Sequence, residues 1–366
     1  MTTTTPQVHV VQVLGDFGLG GDGRVARDLS LALAAQGVRA TCVALRSRKG
    51  AAPPDGPYAL VYLPADQGWM SFLRAARGFR RFVADAKPDV LHIHGPQSLV
   101  FAAAALLGMR RKPPLWFTWH DSSVVLGMGW FRDRAVLWAM RRAAHIFGSS
   151  QSVADRLAAV LPPGTRCEVF RNGVVDLGPT RGMDADVPVL VWAGRLVPPK
   201  DPLIFVRAMA RLRTEGLRFR AILAGGAPPH LLWFEQQVRD LVASSGLGDV
   251  VRMPGWISDL TDCWHEGAIG VQTSHTEGLS IALLESMMAG MATVATDVGD
   301  TGAAVQDGTT GILIRPEDED ALCDALRRVI ADPALRRAMG DAARRRALAE
   351  FSLPAMARQV LSRVAR

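Results

Sequence analysis

Two glutamates, one just before an apolar helix and one inside it, are the side chains of this sequence best suited to chemistry. Glu277 and Glu285 are separated by seven residues. Ser280 is a good N-cap for a helix over residues 281–289, and Gly290 is a typical stop. Because nearly every other side chain of that helix is apolar, we expect it to be buried. A carboxylate buried with it needs a polar partner, and an internal arginine or a bound ligand would each serve for Glu285.

The backbone that leads into this helix is a predicted anion-binding site. The N–H groups of Gly278, Leu279 and Ser280 lie where a helix N-terminus attracts negative charge. With a carboxylate on each side, such a site suits a molecule that carries phosphates in its middle and hydroxyl groups at both ends. A nucleotide-sugar has that shape.

A second anion-binding loop is predicted after the apolar strand at residues 189–194. The loop reads G-R-L-V-P-P-K, and Asp201 with Pro202 then supplies an N-cap and a first helical residue. Arg195 and Lys200 therefore surround a helix N-terminus. A diphosphate would fit there, because arginine offers a fork of donors and lysine a point charge. The alternative is a pair of solvated surface cations.

The glycine-rich loop near the N-terminus has a literal dinucleotide fingerprint, Gly18-x-Gly20-x-x-Gly23, after the first predicted strand. An NAD site also requires a carboxylate at the end of the second strand. That place holds Arg46 and Arg48, which disfavours NAD and keeps NADP as an alternative. A tight turn without any ligand is a further alternative for this loop.

Short apolar segments alternate with helical patterns along the whole chain, which is typical of a doubly wound α/β fold. Two such series are separated by residues 172–187, which contain few apolar residues and are interpreted as a hinge. Helices are predicted from residue 317 onward, the last of them over residues 353–366. The predicted strands are 8–14, 39–45, 59–63, 90–94, 115–119, 145–148, 168–170, 189–194, 219–223, 250–253, 268–273, 292–296 and 311–314.

The segment E-G-L-S-I-A-L-L-E-S-M, followed by A-G and set between two predicted strands, resembles the E-x7-E motif of the retaining glycosyltransferases of family 4, which have the GT-B fold. The resemblance covers essentially the whole chain. It implies two Rossmann-like, doubly wound domains that face an interdomain cleft, with an acceptor-side domain at 1–175 and a nucleotide-sugar-binding domain at 186–350. It also implies that the helix at 353–366 packs back on the first domain.

The resemblance implies roles for the carboxylates and the histidine. Glu277 would bind hydroxyl groups of the transferred sugar and support positive charge at its anomeric carbon, while Glu285 would bind the ribose. His120 and Asp121 directly follow the strand at 115–119, where ligand sites of open α/β sheets gather. In the family, the histidine at this place lies beside the transferred sugar. Asp121 would orient it or cap the next turn.

The resemblance also implies which residues contact the rest of the donor. Arg195 and Lys200 would hold the leaving diphosphate, together with the backbone N–H groups of residues 278–280. The backbone at Gly20 and Gly21 would approach the donor phosphate or the acceptor. Trp256 falls where the family meets the nucleotide base, and stacking on the base or burial in the core would each explain it. The family's usual residue after the lysine is glycine, whereas this chain has aspartate at position 201.

The expected reaction transfers a hexosyl unit from a UDP- or GDP-linked sugar to a sugar, glycolipid or lipid-linked acceptor, with retention, in cell-surface polysaccharide or glycolipid synthesis. No metal and no other cofactor is expected, and Asp184-x-Asp186 is interpreted as a solvated linker rather than a metal motif. The alternatives are a sugar-nucleotide epimerase with the same fold, an NADP-dependent oxidoreductase, and a non-catalytic partner protein with a degenerate site.

The composition favours a protein of the reducing cytosol. Its 366 residues suffice for two domains, its four cysteines are scattered without a C-x-x-C pair, and its polar N-terminus predicts no signal peptide. The net charge of +7 is concentrated in residues 1–180, which hold 21 Lys and Arg against 12 Asp and Glu. Nucleic acid, an anionic membrane or a phosphorylated acceptor would each fit this charge alone. The resemblance leaves no role for nucleic acid.

One basic amphipathic helix is predicted over residues 69–83. Trp69, Phe72, Leu73, Ala76, Phe79 and Val83 share one face of a helical wheel, and Arg74, Arg77 and Arg81 lie to one side. Such a helix can lie in a membrane interface, and an ordinary core helix with a solvated face is the alternative. We therefore expect a cytoplasmic enzyme that can be peripheral on the inner face of the plasma membrane.

Overall fold

The computed structural model describes residues 7–15, 21–45, 56–63, 68–120, 129–162 and 164–364. The chain divides into two compact units. Unit 1 combines Met1–Gly173 with Leu353–Arg366, and unit 2 is Val174–Ser352. The sequence places the second domain at 186–350, so unit 2 begins about a dozen residues earlier than that expectation.

Unit 1 contains a parallel sheet flanked by helices, and β4 is central to it. Its strand order is β3-β2-β1-β4-β5-β6-β7. The strands are β1 (His9–Leu14), β2 (Arg39–Ala44), β3 (Ala59–Tyr62), β4 (Val90–His94), β5 (Leu115–Trp119), β6 (His145–Gly148) and β7 (Cys167–Val169). The helices described in this unit are α1 (Gly21–Ala35), α2 (Trp69–Ala86), α3 (Pro96–Ala105), α4 (Trp130–Met140), α5 (Gln151–Val160) and α13 (Leu353–Val364).

The strands of unit 1 are apolar because helices cover the sheet on both faces. Every residue of β1, β4 and β5 is buried. Alternate side chains from these strands, such as Val11, Ile93 and Phe117, form one core with α2, α3 and α4. Helix α13 packs against α1, and its Arg363 donates to Glu168 at 2.7 Å. The C-terminal helix is thus part of unit 1, as the family resemblance implies.

Unit 2 is a second doubly wound domain, with strand order β10-β9-β8-β11-β12-β13 and parallel pairing throughout. Its strands are β8 (Val189–Ala193), β9 (Arg220–Ala224), β10 (Val251–Gly255), β11 (Ile269–Gln272), β12 (Ala292–Thr296) and β13 (Gly311–Ile314). Its helices are α6 (Pro202–Thr214), α7 (Leu232–Ser244), α8 (Thr261–Glu266), α9 (Ile281–Met288), α10 (Thr301–Ala304), α11 (Glu319–Ala331) and α12 (Pro333–Glu350). Two α/β sheets of parallel strands confirm the predicted fold class.

The segment interpreted as a hinge, residues 172–187, is mostly part of unit 2. Thr180 donates through its backbone N–H to the carbonyl of Ala289 at 2.7 Å, and through its hydroxyl to the carbonyl of His265 at 3.1 Å. Asp184, assigned to a solvated linker, forms an ion pair with Arg337. Hydrogen bonds hold this segment to unit 2 together with a few apolar contacts, such as those of Val174 and Leu177.

Gly225 allows the ends of β8 and β9 to come close together. It has φ +144°, and a Cβ atom built on it would lie 1.7 Å from the carbonyl oxygen of Gly194. An alanine there must therefore displace backbone rather than a flexible side chain. This contact matters because Gly194 begins the loop that carries Arg195 and Lys200.

We predict that Gly225→Ala lowers the free energy of unfolding by about 2 kcal/mol or more, because it combines an unfavourable φ with overpacking. Urea denaturation followed by circular dichroism measures this. Gly248→Ala is the matched control, since its Cβ would meet nothing within 4 Å. Equal midpoints for the two variants would contradict the prediction.

Candidate functional site

The carboxyl ends of β8 and β11 bring the two predicted anion-binding loops together in unit 2. These strands are parallel neighbours, so the loops that follow them leave the same edge of the sheet. The loop after β8 contains Arg195 and ends in a short 3-10 turn at Pro198–Lys200. The loop after β11 runs from Thr273 to Ser280 and leads into α9. Residues far apart in sequence therefore form one site.

An ion pair joins the two loops. The Nζ atom of Lys200 donates to Oε1 of Glu277, and the hydroxyl of Ser274 donates to the same oxygen at 2.8 Å. Both side chains of the pair are largely shielded from solvent. The sequence analysis assigns Lys200 to a phosphate and Glu277 to a sugar, and it does not predict that they contact each other. Ser274 is a member of this group that the sequence analysis missed.

Backbone contacts fix the relative position of the same two loops. The N–H of His275 donates to the carbonyl of Pro199 at 2.8 Å. The hydroxyl of Thr273 donates to the carbonyl of Asp201 at 2.7 Å and accepts from Nε1 of the buried Trp192 at 2.9 Å. These bonds hold the loops whether or not the ion pair is formed.

Asp201 keeps the backbone conformation that glycine favours. Its φ is +42°, in the left-handed region. Its side chain accepts from the N–H of Ile204 at 3.1 Å, so it is the predicted N-cap of α6, and Pro202 is the first helical residue. His275 contacts the other carboxylate oxygen at 2.9 Å. Aspartate at this position therefore adopts a backbone conformation that glycine favours and caps α6 with its side chain.

The N-terminus of α9 has the predicted geometry. Ser280 is the N-cap, and its hydroxyl accepts from the N–H of Leu283 at 3.4 Å. The carbonyl of Gly278 accepts from the N–H of Asp300 at 2.8 Å, which orients the preceding peptide. Gly299 makes this approach possible, because a Cβ on it would lie 2.0 Å from the carbonyl oxygen of Glu277. The only sequence signal for Gly299 is a glycine just after a buried strand.

The other predicted donor-binding side chains of unit 2 differ in exposure. Arg195 is exposed, whereas Glu285 on α9 is only 6% exposed. Trp256 is 49% exposed and lies 3.5 Å from the Cβ position of Gly226, so burial in the core does not explain it. A half-exposed indole beside a glycine-rich strand end leaves stacking on a ligand as the open interpretation.

A small cavity lies behind the ion pair, between β8, β11 and α9. Its volume is about 20 Å³, which accommodates a single water molecule. Polar side chains that include Gln272, Ser274, Ser280 and Ser286 line it together with Lys200 and Glu277. This cavity is too small for a sugar, and it is suited to a water that hydrates the ion pair from the inside.

The carboxyl ends of β4 and β5 in unit 1 carry a row of histidines. Nδ1 of His94 lies 2.8 Å from Nε2 of His120, and Nε2 of His94 lies 2.8 Å from Oε1 of Gln12. His92 contacts the hydroxyl of Thr118 at 2.7 Å. The sequence analysis identified His120 and missed its two histidine neighbours, although the pattern H-I-H at the end of a buried strand signals them.

Burial keeps these imidazoles uncharged. It lowers the pKa of His120 to about 4 and the pKa of His92 to about 3, with the charge of His120 as a smaller cause for His92. Burial also holds the pKa of His94 well below the usual value, and the neighbouring His92 and His120 add to the effect. The row is therefore neutral at pH 7 and can act through hydrogen bonds but not through charge.

Two of the predicted positions give little structural information. Gly20 and Asp121 lie outside the described residues. Gly21 is the first residue of α1. The backbone of Gly21 is thus at a helix N-terminus, where an anion would be stabilised.

Two sequence families match this chain, one for each unit. Residues 20–173 match the family described as "Glycosyl transferase 4-like domain", and residues 187–332 match "Glycosyl transferases group 1". D-inositol 3-phosphate glycosyltransferase of Stackebrandtia nassauensis is 33% identical over 293 residues, which are 78% of this chain and 63% of that protein. The enzyme of the same name from Nocardiopsis dassonvillei is 34% identical over 193 residues, 49% of this chain and 44% of the relative. The matches thus span about half of the relatives' length.

Solved structures share the fold over nearly the whole chain. Sucrose-phosphate synthase from Thermosynechococcus elongatus has a TM-score of 0.79 at 21% identity, and the match covers 98% of both chains. HepE of Anabaena in complex with UDP has a TM-score of 0.80 at 18% identity, over 98% of this chain and all of that one. With both units matched by glycosyltransferase families and the fold shared with these structures, the chain belongs to the glycosyltransferases of family 4 with the GT-B fold.

Proposed function

We propose that this protein is a retaining glycosyltransferase that moves a hexosyl unit from a nucleotide-diphospho-sugar to a hydroxyl group of an acceptor. The observation that carries the proposal is the Lys200–Glu277 pair beside the N-terminus of α9, with Arg195 on the adjoining loop. One compact region thereby offers groups for both a diphosphate and a sugar. Solved structures of HepE, which shares the fold, contain UDP, UDP with glucose, and UDP-glucose, and this favours a UDP-linked donor over a GDP-linked one.

The diphosphate is proposed to bind between Arg195, Lys200 and the first N–H groups of α9. The initial N–H groups of a helix have no intrahelical acceptor and carry its positive partial charge. As the bond between the anomeric carbon and the phosphate oxygen breaks, these groups stabilise the negative charge that moves to the phosphate. Glu285 is assigned to the ribose hydroxyls, and Trp256 to the face of the base.

Glu277 is proposed to bind the transferred sugar and to stabilise the positive charge at its anomeric carbon. Its second oxygen remains for this role, since Lys200 and Ser274 both bind Oε1. The acceptor oxygen attacks on the face that the phosphate leaves, and the acceptor's proton passes to the leaving phosphate oxygen. No separate base is required for that step. His120 is assigned to a hydroxyl group of the same sugar.

The acceptor is proposed to be a sugar, glycolipid or lipid-linked sugar at the cytoplasmic face of the plasma membrane. Support comes from the surface of unit 1. The first turns of α2 expose Trp69, Met70, Phe72 and Leu73, and the start of α4 exposes Trp130 and Phe131 at 64% and 81%. Aromatic side chains of this kind are typical of residues that enter a membrane interface. No helix in the described part of the chain is long and apolar enough to cross a bilayer.

The apolar face predicted for α2 is divided in the structure. Ala76, Phe79 and Val83 are buried as expected, while Trp69, Phe72 and Leu73 at its N-terminal end are exposed. Helix α3 contacts α2 at both ends of this division: the ring of Phe72 lies 5.4 Å from that of Phe101, and Arg80 donates to the carbonyl of Ala105 at 3.3 Å. Arg74, Arg77 and Arg81 are exposed. The helix is therefore part core element and part exposed basic surface, which the helical wheel alone does not distinguish.

We predict that Glu277→Gln lowers kcat for UDP-glucose hydrolysis by roughly a hundredfold, because loss of the carboxylate charge removes stabilisation of the transition state. The KM should change much less. UDP release under saturating donor measures both constants. Glu319→Gln, which alters an exposed ion pair with Arg207, is the control and should keep full activity. Near-normal turnover by the Glu277 variant would rule out its catalytic role.

We predict that Arg195→Ala weakens UDP binding about ten- to a hundredfold, because a charged hydrogen bond contributes ~1.5–3 kcal/mol. A thermal-shift titration with UDP, GDP and NADP tests this, since stabilisation follows RT ln(1 + [L]/Kd). Arg218→Ala is the matched control: Arg218 is also exposed, but it precedes β9 and lies at the opposite edge of the sheet. Stabilisation by NADP alone would favour the oxidoreductase alternative instead.

We predict that changing Arg74, Arg77 and Arg81 together to Glu releases the protein from anionic vesicles, because each basic residue near such a surface contributes about 1 kcal/mol. UDP-glucose hydrolysis in solution should be unaffected. Sedimentation with phosphatidylserine vesicles over a range of salt concentrations measures binding, which should fall as salt rises.

The control for the vesicle experiment changes Arg110, Arg111 and Lys112 to Glu, the same change in charge on an exposed loop elsewhere in unit 1. It should keep most of the binding. If the parent protein fails to sediment even at low salt, the acceptor is soluble, and a phosphorylated polyol such as the one in the relatives' name becomes the substrate to test.

A further inference from the structure

A chain of three side chains crosses the middle of the sheet in unit 1. Strand β4 lies between β1 and β5, and Gln12, His94 and His120 follow one another across these strands. Gln12 is in register with His92, so Gln12, His92 and His94 lie on one face of the sheet. The opposite face carries the apolar core that includes Val11 and Ile93.

We propose that His94 is a positioning residue that holds His120 in the tautomer protonated at Nε2, so that Nδ1 of His120 accepts a hydrogen bond from a hydroxyl group of the transferred sugar. The role for the sugar rests on the function proposed above. The tautomer itself depends only on unit 1. Nothing in the family resemblance assigns a role to His94 or Gln12.

The direction of each hydrogen bond in the series Gln12–His94–His120 is determined by the bond before it. Oε1 of Gln12 can only accept, so the contact at 2.8 Å places a proton on Nε2 of His94. His94 is neutral because its ring is fully buried and packs against two other imidazoles, with ring centroids 4.6 Å from His92 and 5.1 Å from His120. Its Nδ1 therefore carries a lone pair, and Nε2 of His120 donates to it across 2.8 Å.

Nδ1 of His120, the last atom of this hydrogen-bonded series, is available to a ligand. With its single proton on Nε2, neutral His120 has a lone pair on Nδ1. That nitrogen is buried and has no hydrogen-bond partner among the described residues. A buried acceptor that has no donor raises the free energy of the protein. A ligand hydroxyl that donates to it removes this cost, so the bond contributes more to binding than a bond to an acceptor already solvated by water. A sugar carries such hydroxyl groups on every side.

The tautomer can be read directly from the imidazole nitrogens. In protein labelled with 15N-histidine, we expect Nε2 of His120 to have a pyrrole-type shift and Nδ1 a pyridine-type shift at pH 7.5. The His120→Asn variant assigns the signals by their loss. A protonated Nδ1 on His120 in the parent protein would overturn the proposal, because Nε2 of His120 would then accept from His94 rather than donate to it.

Substitutions at His94 test the positioning role. His94→Leu removes the acceptor and should give a mixture of His120 tautomers, whereas His94→Asn can accept through Oδ1 and should restore the parent pattern. His92→Leu is the matched control, since His92 lies on the same strand and face but bonds to Thr118 instead. An unchanged His120 tautomer in His94→Leu would overturn the proposal. Should that variant not fold, Gln12→Met decides: it removes the acceptor that fixes the proton of His94, so His120 should become a mixture of tautomers, and an unchanged His120 refutes the scheme.

Measurements of turnover distinguish a positioning role of His94 from a purely structural one. We expect kcat for UDP-glucose hydrolysis to fall about tenfold in His94→Leu, the effect of one neutral hydrogen bond in the transition state, and to recover in His94→Asn. Stabilisation by UDP should be unchanged, because the residues assigned to the diphosphate are in unit 2. Equal kcat in parent and His94→Leu would overturn the proposal. Absence of UDP-glucose turnover in the parent would refute the proposed function instead, while the nitrogen shifts would still decide the tautomer.

Discussion

The ion pair between Lys200 and Glu277 is the contact that joins the side chains of the two site loops in unit 2. It joins two loops that are neighbours only because β8 and β11 are parallel and adjacent. The surrounding bonds serve the same alignment: Thr273 bonds to Asp201, and Gly299 leaves room for the peptide after Glu277. A carboxylate and an ammonium group that are mostly shielded from solvent need such support, because the cost of desolvation is offset only in good geometry.

The pair also explains how one small region can serve ligands of opposite character. A lysine has three donors and a flexible stem, so it can keep a bond to Glu277 while it turns another donor toward a phosphate. Lys200 and Ser274 both bind Oε1 of Glu277, so the other carboxylate oxygen takes no part in these two bonds. A cavity of about 20 Å³, lined in part by Lys200 and Glu277, lies beside the pair and is large enough for one water molecule. Apolar side chains such as Val191, Val271 and Leu283 line the rest of that cavity.

The sequence predicted the sheets well because parallel strands that are buried on both faces appear as continuous apolar runs. The caps Asp201 and Ser280 were equally predictable, since capping depends on a few local residues. The hinge was not, because Thr180 and its neighbours attach to unit 2 through backbone hydrogen bonds that leave no apolar pattern. The division of α2 into buried and exposed turns depends on how neighbouring elements pack against it, and a helical wheel does not contain that information.

Long-range pairing was the other limit. The contact of Lys200 with Glu277 spans 77 residues, and that of His94 with Gln12 spans 82. The sequence shows which residue types can donate, accept or carry charge. It does not show which of their atoms come into contact, because that depends on the order of the strands in the sheet. Asp201 illustrates the converse case, because its role as N-cap of α6 depends only on neighbouring residues and was predicted from the sequence.

The two units carry different kinds of polar group at the carboxyl ends of similar parallel sheets. Unit 2 presents ionised groups, which suit a reaction in which charge moves onto a phosphate. Unit 1 presents a neutral row, because burial lowers the pKa of His120 to about 4 and the pKa of His92 to about 3. A cationic imidazole would lose its acceptor atom, and it would repel the positive charge that develops on a sugar. Burial therefore leaves each ring of the row with one nitrogen that can accept a hydrogen bond.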